Sequence, residues 1–251
     1  MSNFKIGDIS IGMGHKPFII AEMSGNHNQS LERALKIVEA AAQSGANALK
    51  LQTYTADTIT LDVKEGEFII KDKKSLWKGE SLYELYKKAY TPWDWHMPIM
   101  KRANELGMLC FSTPFDDTAV DFLEELDVPA YKIASFELID LPLIEYVASK
   151  GKPLIISTGM ANREEIISAV QAARKKNCQA LCLLHCTSGY PTPFNEADLR
   201  TIPALGQISD VVPGLSDHTI GITIPVVAVA LGACVIEKHV TLNRSDGGPD
   251  A

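Results

Sequence analysis

The chain's strongest constraint is an alternation: short, almost continuously apolar runs, each followed by a segment with apolar residues at helical spacing, repeated from end to end. The runs fall at residues 17–22, 48–52, 108–112, 130–134, 153–157, 180–186, 211–215 and 234–240. Helical patterns lie between most of them, over residues 31–45, 82–90, 92–106, 116–126, 141–149, 163–176, 196–205 and 222–231. Strands that are apolar on both faces belong to a parallel sheet whose outer face is covered by helices. About eight such units close a ring, so the expected fold is an α/β chain forming a (β/α)8 TIM barrel. Its 251 residues match the usual length for that fold, and residues 1–251 are read as one domain. Alternating residues 4–11, with turn glycines at Gly7 and Gly12, predict a small hairpin flanking the barrel bottom. No Gly-x-Gly-x-x-Gly follows the first strand, which counts against a dinucleotide fold.

Local signals place helix starts: Ser30 as N-cap of the first helix, and Thr91 as N-cap before Pro92. Residues 53–78 are too long and polar for an ordinary connection and predict a functional excursion, anchored by residues 68–70 and by Leu76 and Trp77. The chain reaches Ala251 just after the eighth strand, which leads us to expect a piece of a longer protein, lacking the eighth helix.

A barrel does its chemistry at the C-terminal ends of its strands, so the polar residues that finish each run are the candidates. They are Glu22, Lys50 and Gln52, Ser112 and Thr113, Lys132 and Ser135, Ser157, His185 and Tyr190, Ser216 and His218, then Glu237 and His239, with Asp250 beyond. Glu22 is also followed by Asn26, His27 and Asn28. Lysines and hydroxyls converging on one mouth describe an anion site. A lone histidine at a strand end is ordinarily a satisfied polar residue. Two, His218 and His239, beside the acids Asp217 and Glu237, suit a divalent metal with open coordination positions. Strand periodicity puts Glu237 and His239 on one face and Lys238 on the other.

A net charge of -7 and a pI near 5.4 argue against nucleic acid as the main partner. Neither a signal core nor a membrane-length apolar run is present in these residues, and a cytoplasmic location is expected. The five cysteines, never spaced Cys-x-x-Cys, read as buried free thiols.

Six motifs in order, Ile20-Ala-Glu-Met-Ser-Gly-Asn-His-Asn28, Lys50-Leu-Gln-Thr-Tyr54, Tyr131-Lys-Ile-Ala-Ser135, His185-Cys-Thr-Ser-Gly-Tyr-Pro-Thr-Pro193, Gly214-Leu-Ser-Asp-His218 and Ile236-Glu-Lys-His239, closely resemble the sialic acid synthase family. Residues 21–26, 50–55, 76–77, 82–86 and 91–96 look more like its pseudaminic acid branch than its N-acetylneuraminate branch. The resemblance implies condensation of phosphoenolpyruvate with the open-chain aldehyde of an amino sugar, 2,4-diacetamido-2,4,6-trideoxy-altrose in that branch, releasing phosphate. It implies His218 and His239 as ligands of Mn2+ or Mg2+, and Glu22 as the group that orients sugar hydroxyls or moves a proton. Tyr190 and Asp250 would lie near the sugar. Lys50, Lys132, Ser135, Ser157 and Ser216 would hold phosphoenolpyruvate, with Gln52, Thr113 and Glu237 also placed at the substrate. Members carry a C-terminal antifreeze-like domain that caps the partner's barrel in a homodimer, and these residues lack it. N-acetylneuraminate or legionaminate synthesis, a metal-dependent aldolase, and a non-catalytic ligand-binding barrel stand as alternatives.

Overall fold

The computed structural model describes residues 3–71, 77–208 and 210–248. Strands β1 (Phe4–Ile6) and β2 (Ile9–Ile11) pair antiparallel as the expected hairpin. Ile6 and Ile11 are fully buried, and the turn at Gly7, in the left-handed region at φ 55°, packs on Leu109 at the start of a barrel strand. This places the hairpin under the barrel floor.

The chain then enters β3 (Phe18–Glu22), α1 (Leu31–Gln43) and β4 (Ala48–Thr53). Ser30 caps α1, its Oγ accepting from Arg33 N at 3.2 Å, a contact worth about 1 kcal/mol. Ala34, Ile37, Val38 and Ala41 form the buried stripe of α1. The excursion after β4 is folded rather than loose: α2 (Ala56–Ile59), a 3-10 turn at Gly66–Phe68 and α3 (Leu82–Ala89), tied by a bridge between Ile69 and Ser81. Its expected anchor Leu76 lies outside the described residues.

The segment expected as one helix over 92–106 is a 3-10 turn, Trp93–Trp95, followed by α4 (His96–Glu105). Thr91 is not its cap: its hydroxyl is buried against His27 Nε2 at 3.1 Å, and that tertiary contact outcompetes capping. Regular units follow in β5 (Leu109–Pro114), α5 (Asp117–Glu125), β6 (Tyr131–Ile133), α6 (Leu141–Ser149), β7 (Leu154–Ser157), α7 (Arg163–Lys175) and β8 (Leu181–Cys186). Asp116, Asp140 and Asn162 cap the three helices, the last in a reciprocal box with Glu165.

After β8 the helix expected over 196–205 is shortened to α8 (Thr201–Leu205), preceded by a 3-10 turn at Phe194–Glu196. Asp198, at φ 40°, leaves the right-handed helical region and breaks the run. The chain closes through β9 (Val212–Asp217), α9 (Thr223–Ala230) and β10 (Val235–His239). The eight parallel strands form a closed barrel in the order β10, β3, β4, β5, β6, β7, β8, β9. Gly214 is required in β9: a Cβ there would stand 2.5 Å from Leu184 Cδ2 and 2.6 Å from Val235 O. No helix among the described residues is long and apolar enough to cross a membrane. The five cysteines are free and buried, as expected.

Candidate active site

Strand pairing aligns the inner face. In a parallel ladder, register partners point the same way, and Glu22–Lys50, Gln52–Thr113, Cys186–Ser216, Ser216–Glu237 and Glu22–His239 are all such partners. The sequence motifs thus become neighbours around one mouth.

Four buried charges make the floor. Lys50 ion-pairs with Glu22 and lies 3.9 Å from Glu237 Oε2; its ammonium also donates to Thr113 Oγ1 at 3.1 Å. Lys132 donates to Ser157 Oγ at 2.7 Å and to Ile133 O at 3.0 Å, and stands 3.8 Å from Glu237 Oε1. Ser216 Oγ donates to Glu237 at 3.0 Å. Burial would raise the Glu237 carboxyl, but Lys132, Lys50 and Ser216 outweigh it and hold the group at about 2. Burial lowers the Lys132 ammonium from its ordinary value against the pull of Glu237. Glu22 is oriented from its own strand end: Ser24, at φ 48°, donates its N–H to Glu22 Oε1 at 2.9 Å. Gln52 accepts from Ser24 Oγ at 3.4 Å.

Beside this floor, Gly159 N donates to Ser135 Oγ at 3.2 Å. A Cβ at Gly159 would stand 2.7 Å from Ser188 Oγ and 2.8 Å from Ser135 Oγ, so only glycine lets these hydroxyls gather beneath the β7 loop.

At the rim, the His218 and His239 rings lie 5.4 Å apart. Tyr190 covers them, its ring 4.1 Å from that of His218 and 6.0 Å from that of His239. The loop carrying Tyr190 is clipped to β9 by Thr192 N, which donates to His218 O at 2.9 Å. His218 Nδ1 lies 3.0 Å from Thr187 O. A carbonyl only accepts, so Nδ1 carries the ring proton and Nε2 presents its lone pair, the tautomer a metal ligand needs. Among the described residues no group of three His, Cys, Asp or Glu is placed to hold a metal. The two imidazoles fit a divalent ion whose other ligands are water and substrate oxygens. Asp217 does not back them: it faces outward, binding the Lys238 ammonium and Thr219 N at 3.0 Å. Lys238 points outward, as strand periodicity predicts.

The floor, the hydroxyls and the rim line one cavity of about 530 Å3, within the range of small-molecule sites. Glu22, Lys50, Gln52, Lys132, Ser135, Ser157, Tyr190, Ser216, His218, Glu237 and His239 all line it, and Thr113 accepts a hydrogen bond from the Lys50 ammonium. Asp250 lies outside the described residues. Other strand-end candidates turn away from it: His185 Nε2 lies 2.8 Å from Ala197 O, pinning the following loop, and Ser112 and Thr53 hydroxyls pair with each other. Asn26 and Asn28 tie down residues 240 and 246, donating to Val240 O at 3.0 Å and Asp246 O at 2.9 Å.

Strand-end reading misses two parts of the cavity. Glu137, in the 3-10 turn Phe136–Ile139, carries a buried Oε2 without a hydrogen-bond partner among the described residues. Burial raises its carboxyl above the ordinary range, opposed by a backbone bond and by Lys132. The second part is an aromatic wall of Tyr54, Tyr86 and Phe115 with Trp77. A parity rule for strands cannot reach either, since loops and α3 supply them.

The NeuB family model matches residues 37–251. Pseudaminic acid synthase of Helicobacter pylori is 47% identical over 235 residues, covering 94% of this chain and 68% of that protein. N,N'-diacetyllegionaminic acid synthase of Legionella pneumophila is 40% identical, covering 99% of this chain and 71% of that protein. Among solved structures, the N-acetylneuraminic acid synthetase of Leptospira borgpetersenii in complex with citrate superimposes with a TM-score of 0.88 at 34% identity, covering 100% of this chain and 83% of that one. With the family match spanning most of the barrel and relatives this similar across nearly the whole chain, the protein belongs to the NeuB family, as the motif resemblance implied.

Proposed function

We propose that this barrel condenses phosphoenolpyruvate with 2,4-diacetamido-2,4,6-trideoxy-altrose, giving pseudaminic acid and phosphate. The observation that carries the reading is the burial of Lys50 and Lys132 on the floor of the cavity that His218 and His239 rim. Buried ammonium groups are retained where an anion needs them, and phosphoenolpyruvate brings a carboxylate and a phosphate. The pseudaminic acid synthases that align with the chain at 46–47% identity support this sugar over its relatives.

Synthases of this family are metal-dependent, and His218 and His239 would hold the ion here. Nitrogen ligands favour Mn2+ over the harder Mg2+. When bound, the ion supplies Lewis acidity to the sugar aldehyde oxygen. Lys50 and Lys132, with Ser135, Ser157 and Ser216, hold the phosphoenolpyruvate anion so that its C3 faces the aldehyde carbon. Carbon–carbon bond formation leaves positive charge at C2, which the buried Glu237 and Glu22 carboxylates stabilise electrostatically. Glu22 takes a proton from the water that adds at C2 and passes it to the alkoxide left by the former aldehyde oxygen. Glu137, whose raised carboxyl keeps its proton more readily, gives one to the phosphate as the C2–O bond breaks and takes back the proton of the C2 hydroxyl as the ketone forms. Phosphate departs with its bridging oxygen. Gln52 and Thr113 support the floor and Tyr190 flanks the sugar beside the histidines, while Asp250 is assigned to the sugar by the family resemblance alone. The proposal extends to a cytoplasmic homodimer: five buried thiols suit a reducing compartment, and exposed Phe136, Ile139 and Met160 near the mouth offer apolar surface to a partner.

The test is phosphate release from phosphoenolpyruvate and the altro sugar with Mn2+ in heavy-oxygen water. The reading expects metal-dependent release with the label in the sugar acid and none in phosphate. Label in phosphate, or no release, overturns it.

A further inference from the structure

The cavity is lopsided in a way that the condensation itself does not require. In the ring order, β4 and β5 stand across the barrel from β8 and β9. The histidine and tyrosine rim therefore faces the segments that leave β4 and β5, and what those segments and α3 turn toward the cavity is aromatic and aliphatic, not charged. Tyr54 follows β4 and Phe115 follows β5, with ring centroids 5.4 Å apart. Tyr86 of α3 meets Tyr54 at 5.6 Å, and both ring contacts at this corner are edge-to-face. Ile59, Leu85 and Trp77 extend the same side. Tyr54 is almost fully buried, and Trp93 Nε1 donates to its carbonyl at 3.2 Å, so the wall is held in place before any ligand arrives.

We propose that this wall reads the far end of the sugar, selecting amino sugars with a methyl at C6 and an acetamido group at C4 over sugars with hydroxyls there. The inference rests on the function proposed above, which puts the aldehyde end beside His218 and His239. An open-chain hexose held there by C1 extends across the mouth, and C4 to C6 reach the β4 and β5 side. A methyl gains from contact with aromatic rings. A hydroxymethyl in the same place loses water without gaining a partner from Ile59, Leu85 or Phe115. The methyl of a C4 acetamido group gains contact with the same tyrosine rings, which a C4 hydroxyl does not. Discrimination by an apolar surface of this kind reaches about 10- to 100-fold, not more.

The measurement is kcat/KM by phosphate release, on the Mn2+-loaded protein, for 2,4-diacetamido-2,4,6-trideoxy-altrose and for N-acetylmannosamine. The wild type should prefer the first by at least about tenfold. Tyr86→Ser, and independently Leu85→Asn, should each cut that ratio by about tenfold while leaving the KM for phosphoenolpyruvate within about twofold. General damage to the fold would lower both sugars together and leave the ratio where it was. An unchanged ratio in active variants overturns the inference, as does equal use of both sugars by the wild type. Release with neither sugar overturns the function proposed above instead, and this inference with it.

Discussion

Glu237 concentrates the site's electrostatics in one side chain. Two ammonium groups within 4 Å and the Ser216 hydroxyl compensate a carboxylate that burial alone would neutralise. Removing one partner of a buried pair costs about 3–5 kcal/mol, because the other charge is left uncompensated. Glu237→Gln should therefore lower stability by about 3 kcal/mol. Added inorganic phosphate should restore more of it than it adds to the wild type, since it supplies the missing negative charge; thermal denaturation with and without phosphate reads both effects. An equal phosphate response in the two proteins would mean that the lysines do not face the anion site. This residue was legible from strand parity: placing His239 at the mouth put Glu237 there and Lys238 outside. His27 and His185 were not: His27 lies in the loop beyond β3, where strand parity no longer applies, and His185 falls on the face of β8 opposite Cys186, in register with Leu215. Glu137 gave no periodic signal at all, since it sits in a turn.

At the scale of elements, the helix and strand alternation survives in the structure because apolar spacing and caps agree along most of the chain, as at Ser30, Asp116, Asp140 and Asn162. It fails where tertiary contacts take over the capping groups. Thr91 is the clearest case: its hydroxyl serves His27, while His96 Nε2 lies 2.8 Å from Thr53 Oγ1, which in turn meets Ser112 at 2.7 Å. These contacts fasten the start of α4 to the β3 loop and to β4 and β5. Burial, and for His27 also the nearness of His96, lowers both imidazoles to about 4. A group whose folded value lies below its unfolded value of about 6.5 stabilises fully above 6.5 and loses that contribution as pH falls toward 4. The two together should make the protein lose several kcal/mol between about pH 6.5 and 4, on the order of 3 each. Glu237 behaves in the same sense lower down, losing its contribution between about 4.3 and 2. Urea denaturation across this range should show the first loss in the wild type and a shallower slope in His96→Gln. Identical slopes would show that His96 is not neutral in the folded state.

For the whole molecule, the closed barrel converts distant sequence positions into a single ligand set, and this gives metal binding a thermodynamic signature independent of turnover. His218 and His239 come from the ends of adjacent strands, so an ion held by both ties β9 to β10, the strand that closes the ring on β3. A ligand that binds only the folded state stabilises it by RT ln(1 + [L]/Kd), about 2.7 kcal/mol at a hundredfold excess over Kd. In a domain of this size each kcal/mol moves the melting temperature by about 2–4 °C. Saturating Mn2+ should raise the melting temperature by roughly 5–10 °C on this arithmetic, and chelation should reverse it. His218→Ala and His239→Ala should each abolish both the shift and metal-dependent phosphate release, since neither imidazole alone offers a chelating pair. His185→Ala, whose ring is bonded to Ala197 O away from the cavity, should keep the Mn2+ shift even though its own melting temperature falls. If His185→Ala lost the Mn2+ shift while His239→Ala retained it, the ion would lie elsewhere in the barrel and the rim histidines would be only neighbours of Tyr190.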